Sequence, residues 1–232
     1  MSQVALPGWH GKLPALGDFA SRRLDSHFLD PWDAWLAEGM LALREQLGAD
    51  WLDAYLASPS WRFLLMPGVL QGEPGLQAWA GVLMPSVDRV GRYFPFTLAQ
   101  PLGENLVSIP QMPALWHWLG RLDDLAADAL HDDWGIERLE DELARLAAPD
   151  WQPLVLPANE VAADGALVPC DLPSGLDAAG WVGMEADALW RVQAAGRAYW
   201  YASAEQQAPR MLQSGGLPAP SAMHQLFGGP LA

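Results

Sequence analysis

The sequence predicts an α/β fold, a sheet covered by helices on both faces, from three observations. Apolar residues recur at helical spacing in three long segments, 28–47, 112–131 and 136–147. Between the first two lie short apolar runs bounded by proline and glycine, WRFLLMPGV, AWAGVLMPSV and FPFTLAQPL. These runs are apolar almost without alternation, as in strands with both faces covered. A chain of 232 residues suits one domain spanning 1–232, and a boundary, were there one, would fall near residue 150.

The opening VALPGWHGKLPALGDF, with Gly8, Gly11 and Gly17 and prolines at 7 and 14, predicts a short strand running into a shaped loop. A helix follows, with Asp30 as its cap, Pro31 at the first helical position and Asp33 in the first turn. Its apolar stripe is Phe28, Trp32, Trp35, Leu36, Met40, Leu43 and Leu47, set to lie on a sheet. A shorter helix at ADWLDAYLA precedes the three strands. Leu115, Trp116, Leu119, Leu122, Ala126 and Leu130 mark the next helix, and Ile136, Leu139, Leu143 and Leu146 the one after. Residues 149–185 are rich in Pro, Gly and Asp and predict a long connection, with one strand at PLVLP. After it come a helix at ADALWRVQAA, a strand at RAYWYAS and a short helix at SAMHQLFGG closed by glycines.

Net charge is −15, and it is uneven: residues 1–100 hold seven bases and ten acids, residues 101–232 six and eighteen. So negative a field repels phosphate backbones and anionic lipid, which argues against nucleic acid and the membrane surface as partners. Nine acids face one base between 123 and 142, the pattern of a solvated helix face. Cys170 is alone, so no disulfide closes within the chain. Neither a signal peptide nor a membrane span is evident, and the expected location is the cytoplasm. Thirteen tryptophans fit core filler, since most lie in apolar patterns; exposed, they would be interface anchors or sugar platforms.

Phosphate-binding glycine loops and the GxSxG nucleophile elbow are absent. The five histidines, His10, His27, His117, His131 and His224, lack HxxxH or HExxH spacing. HDDW at 131–134 is the nearest approach to a metal cluster, and the plainer reading makes Asp132 or Asp133 the cap of the next helix. No metal and no cofactor is therefore expected. Glycoside hydrolysis would suit the Trp, Asp and Glu content, but it needs a carboxyl pair of split pKa and no local pattern singles one out.

Two clusters remain, GKLPALGDF at 11–19 and PSVDRVGRYFPF at 85–96. Each joins glycine and proline, which shape backbone, to charged groups that need partners. Lys12 and Asp18 belong to the first; Ser86, Asp88, Arg89 and Arg92 belong to the second. Arg92 and Asp88 are four residues apart, within reach of a salt bridge that Lys12 and Asp18 would extend. Such a network either clamps strand ends together or presents a partner-binding surface, and spacing alone leaves both open.

GWHGKLPALGDF, FLDPWDAWL, PSVDRVGRYFPFTLAQPL and a closing SGGLPAPSAMHQLFGG together resemble the TagF family, also called ImpM, of type VI secretion accessory proteins. The resemblance is carried most specifically by Gly11, Lys12, Leu13, Pro14, Gly17, Asp18 and Phe19, and by Pro85, Ser86, Asp88, Gly91, Arg92, Phe94 and Pro95. Residues 102–196 carry no part of it. It implies a longin-like α/β sandwich with a mixed or mostly antiparallel sheet. It further implies a cytoplasmic, non-enzymatic regulator that restrains the secretion machine after translation by binding a forkhead-associated scaffold protein. Carbohydrate binding or hydrolysis, and a structural role in the secretion complex, stand as the alternatives. The sequence does not indicate an oligomeric state.

Overall fold

The computed structural model describes residues 6–70, 77–102, 108–146, 177–203 and 208–229. Seven strands form one sheet: β1 (Gly8–Gly11), β2 (Ala20–Arg22), β3 (Trp61–Leu65), β4 (Trp79–Met84), β5 (Phe96–Pro101), β6 (Arg197–Ala202) and β7 (Arg210–Gly215). Their order is β2-β1-β5-β4-β3-β6-β7, and every pairing is antiparallel. The helices are α1 (Ser26–Leu47), α2 (Trp51–Leu56), α3 (Met112–His131), α4 (Ile136–Arg145), α5 (Ala178–Ala194) and α6 (His224–Phe227). The expected α/β sandwich is present, and no strand among the described residues runs parallel to its neighbour.

Side chains of a strand alternate between the two faces, and here both faces are apolar. Trp61, Phe63 and Leu65 of β3 join Phe28, Trp32, Trp35 and Leu36 of α1 in one core. Leu64 from the same strand joins Val82, Leu98 and the α3 and α4 residues Leu115, Leu119, Leu122, Leu139 and Leu143 in the other. Central strands β4 and β5 have therefore no polar face to expose, which is why their sequences lack alternation. Gly81 lets β4 and β5 approach: a Cβ there would stand 2.1 Å from the Leu98 carbonyl oxygen and 2.5 Å from Phe63. The larger helices, α1 and α3, sit where the apolar stripes predicted them.

The tryptophans are chiefly core. Among the described residues none of them is exposed, and Trp9, Trp32, Trp61 and Trp200 are fully buried. A buried indole N–H calls for an acceptor, and three of them find one within the same core. Trp32 Nε1 donates to Thr97 Oγ1 at 2.9 Å, Trp35 Nε1 to the Pro218 carbonyl at 2.7 Å and Trp61 Nε1 to the Leu226 carbonyl at 2.8 Å. The last two fasten the segment 218–227 onto the α1 face.

Several local expectations are corrected. Helix α1 starts five residues earlier than Pro31 implied: Asp25 is the cap, its carboxylate accepting from Phe28 N at 3.1 Å, and Pro31 lies inside the helix. A proline near a helix start removes one backbone bond while its fixed φ still suits the helix, so tertiary packing of Phe28 tips the balance. Asp33, expected at the first turn, instead meets His10 Nε2 at 3.0 Å. The connection expected over 149–185 ends sooner, because α5 begins at Ala178 behind the Asp177 cap, whose carboxylate accepts from Gly180 N at 2.7 Å. The strand expected at PLVLP, and Cys170, lie outside the described residues. Strands β2 and β7 were not foreseen, being short or half-exposed. The final helix is split into a 3₁₀ turn, Pro220–Ala222, and α6. Among the described residues no helix is long and apolar enough to cross a membrane.

Candidate functional site

The two glycine-rich loops lie side by side. Strand β1 ends at Gly11, whose φ of +123° and position 2.2 Å (as a Cβ) from the Pro95 carbonyl leave room for glycine alone. The chain then turns through Lys12 to Phe19. Opposite, β4 gives way to a loop whose neck is a Val87–Tyr93 bridge and whose tip turns at Gly91, φ +81°. Asp88 N donates to the Arg92 carbonyl at 3.0 Å, and Gly91 N to the Asp88 carbonyl at 3.0 Å. These bonds make the loop a closed turn rather than a free excursion.

Asp88 is the hub. Its Oδ2 accepts from Lys12 Nζ and Arg92 Nε, each at 2.7 Å, while Oδ1 accepts from the amides of Arg92 at 2.9 Å and Val90 at 3.0 Å. Burial opposes the negative charge, but the Lys12 ammonium, the two backbone amides and the Arg92 guanidinium outweigh it and hold the carboxyl well below the usual carboxylate range. Both oxygens are filled by donors. Asp88 is thereby an ionised anchor with no room for an exchanging proton, the opposite of what general acid or base chemistry needs.

Ser86 seals the floor. Its Oγ donates to the Lys12 carbonyl at 2.7 Å. Tyr55 of α2 accepts from Ser86 N at 2.8 Å and donates to Ser86 O at 3.1 Å through one hydroxyl, and burial pushes its phenol pKa up. Tyr55 was invisible to sequence reasoning, since its hydroxyl belongs to a helix 31 residues away and only its apolar ring fits the stripe.

The rim differs from the floor. Arg92, half exposed, also donates to the Gly17 carbonyl and stands 3.5 Å from Asp18 Oδ1. Asp18 is mostly exposed and accepts from Phe19 N at 2.8 Å. Arg89 contributes its backbone, donating to the Leu16 carbonyl at 3.1 Å, and leaves its side chain exposed. Phe19, 47% exposed, lies over the Lys12 ammonium at 4.0 Å and against Phe94. Val90 is 63% exposed. The structure thus brings Lys12, Ser86 and Asp88 into one buried clamp that the half-exposed Arg92 closes from outside, with Asp18 at its edge. Arg89, Val90, Phe19 and the outer part of Arg92 form a basic and apolar rim above it.

The acidic stretch is only partly the solvated face expected of it. Asp123 is buried at 2.9 Å from Arg62 Nε, and burial raises its pKa despite that partner. Glu140 accepts from Trp9 Nε1 at 2.6 Å and from both terminal nitrogens of Arg23; desolvation opposes its charge, and these donors still lower its pKa. Asp124, Asp128, Asp133, Glu137 and Asp141 are exposed. In HDDW, Asp132 ends α3, Asp133 takes φ +52° and Gly135 caps α4, so neither aspartate is the next cap. Among the described residues no three His, Cys, Asp or Glu side chains gather as metal ligands.

The family described as the TagF N-terminal domain, type VI secretion system-associated, matches residues 8–146, which include both loops. The chain belongs to the TagF family. A solved structure matches more widely: the crystal structure of PA0076 from Pseudomonas aeruginosa PAO1 is 35% identical, covers 97% of this chain and 96% of that one, and superposes with a TM-score of 0.73. That likeness extends past the TagF segment to β6, β7 and the pinned 218–227 segment. No curated protein matches the chain.

Proposed function

We propose that this TagF-family protein is a non-enzymatic cytoplasmic regulator of type VI secretion, which represses assembly or firing after translation by binding the forkhead-associated scaffold protein of that system. Family membership supports the secretion role. The observation that carries the binding role is the rim of Arg89, Val90, Phe19 and Arg92, exposed basic and apolar groups held in place by a buried clamp on a chain of net charge −15. A loop backbone already held in place loses little entropy on docking. A basic patch in an acidic field also selects its partner by charge. The filled carboxylate of Asp88 supports a non-catalytic role for the clamp.

The test is calorimetric titration of the purified protein with the scaffold, phosphorylated and unphosphorylated. Micromolar or tighter binding, weakened by Arg89→Glu, supports the reading, and a preference between the two forms identifies the state held. Absence of heat and of co-elution with either form removes the scaffold as partner and leaves the loops a structural clamp. A structural component of the secretion complex would co-sediment in fixed stoichiometry, whereas a regulator stays substoichiometric. Sugar binding gains no support from the tryptophans, which are buried or half-buried among the described residues.

A further inference from the structure

The loop that carries Arg89 and Val90 leaves the sheet where the β4–β5 ladder stops, at Met84 opposite Phe96. Ser86 follows at once and is buried, so its main-chain groups need partners beyond the ladder. Its carbonyl accepts from Phe94 N at 3.1 Å. Its N–H donates to the Tyr55 hydroxyl at 2.8 Å, and that hydroxyl donates to the same Ser86 carbonyl at 3.1 Å. One side chain of α2 thus does for the loop neck what a neighbouring strand does elsewhere. Tyr93, across the neck from Val87, stands edge-on to Trp51 and Tyr55 of α2, with ring centroids 5.8 and 6.4 Å apart.

Tyr55 is held there from the far end of the sequence. Helix α2 has six residues, too few to keep its place by its own hydrogen bonds. Its Tyr55 ring packs on Phe227 of α6, with centroids 5.5 Å apart and both side chains fully buried. Ser58, just past α2, accepts from Gly229 N at 3.1 Å and donates to the Ala54 carbonyl at 2.7 Å. The segment that carries Phe227 is fixed in turn on its other side. Trp35 and Trp61 donate to its carbonyls, and so does Gln46 Nε2, to Ser221 O at 3.1 Å. Met223 fits against Gly39 of α1, where a Cβ would stand 2.4 Å from the Met223 Cε. Residues 218–229 all lie outside the 8–146 match to the TagF family.

We propose that the closing segment 218–229 sets the docking rim, with Phe227 and Tyr55 as its positioning residues. Phe227 fixes the Tyr55 ring, the Tyr55 hydroxyl fixes the neck of loop 85–96, and the neck holds Arg89 and Val90 where they stand. The use made of the rim rests on the docking reading above; the coupling rests on the geometry alone. A hydroxyl bonded twice to one residue tolerates little displacement, because hydrogen bonds weaken steeply off their angle and a buried N–H left unpaired is costly. Lys12 and Arg92 fasten the loop at Asp88, and Tyr55 fastens it two residues earlier, from the opposite sheet face. The segment is therefore part of the docking site although none of its residues lies in the rim.

The experiment follows amide hydrogen exchange by NMR in the full chain at Val90, Gly91 and Arg92, the three loop amides bonded to Asp88. Tyr55→Phe keeps the ring and removes the hydroxyl; it should speed exchange there by at least about fivefold. Phe227→Leu keeps an apolar side chain and removes the ring, and should speed it roughly two- to tenfold. The double variant should exchange no faster than Tyr55→Phe alone, because Phe227 acts through the hydroxyl. Leu122→Val, in the core of the other sheet face, is the control: it should lower the thermal midpoint and leave exchange in the loop unchanged. Loop exchange unmoved by Tyr55→Phe, additive in the double variant, or moved equally by Leu122→Val overturns the proposal. Scaffold titration separates it from the docking reading. If the parent chain binds no scaffold, the docking reading fails and the exchange pattern alone decides the coupling. If it binds, Tyr55→Phe should weaken binding, and unchanged affinity overturns the rim-setting role.

Discussion

Lys12 Nζ lies 2.7 Å from Asp88 Oδ2, with the two side chains 3% and 0% exposed. A buried charge pair is tolerable only when its remaining bonding capacity is filled, and Asp88 meets that condition with four donors from both loops. Asp88→Asn would turn an NH₂ group toward those donors. We expect it to lower the thermal midpoint clearly, while Asp18→Asn, at a mostly exposed position, leaves it nearly unchanged. Equal midpoints in a paired thermal scan would show that the hub does not hold the loops.

Arg92 divides the two roles of the loops. Its Nε binds buried Asp88 while the rest of the side chain is half exposed. If the clamp dominates, Arg92→Glu loses cooperative thermal unfolding; if docking dominates, it stays folded and loses scaffold binding. Arg89, whose side chain makes no part of the clamp, is the control: Arg89→Glu should change the unfolding free energy by no more than about 0.5 kcal/mol.

Two glycines separate space from backbone angle. Gly81→Ala forces a Cβ onto the Leu98 carbonyl between central strands, and should cost at least the ~1–3 kcal/mol of an overpacked core. Gly91→Ala meets nothing within 4 Å but keeps φ +81°, and should cost about 1–2 kcal/mol from the left-handed backbone alone. Urea denaturation of both variants checks the order.

The acid limb of stability contains opposing carboxylates. Glu140 and Asp88 have depressed folded pKa values, so their stabilisation is present above the unfolded carboxylate pKa and lost as pH falls through the folded one. Asp123 is raised; the folded state holds its proton more tightly, so its contribution improves as pH falls. Glu140→Gln should flatten the acid limb and Asp123→Asn should steepen it, measured by denaturation between pH 7 and roughly pH 3.

Neutralising Asp124, Asp128, Glu137 and Asp141, all exposed, should reduce the salt dependence of association if a basic partner approaches this face. An unchanged slope of affinity against ionic strength would exclude the face from binding.

What the sequence determined by itself is local. Apolar periodicity of 3.6 placed α1 and α3, and short unalternating apolar runs bounded by proline and glycine placed β3, β4 and β5, because burying one stripe of a helix or both faces of a strand constrains neighbouring residues directly. Asp88 and Arg92 were legible for the same reason, four residues apart in one tight turn. Tertiary structure decided the rest. That Lys12 reaches Asp88 across 76 residues, that Glu140 closes on Arg23 across 117, and that Tyr55 binds Ser86 all depend on which strands become neighbours. Strand order is set by the joint packing of both faces. Nothing in the linear spacing of charges distinguishes a carboxylate that will be buried among donors from one that will face water.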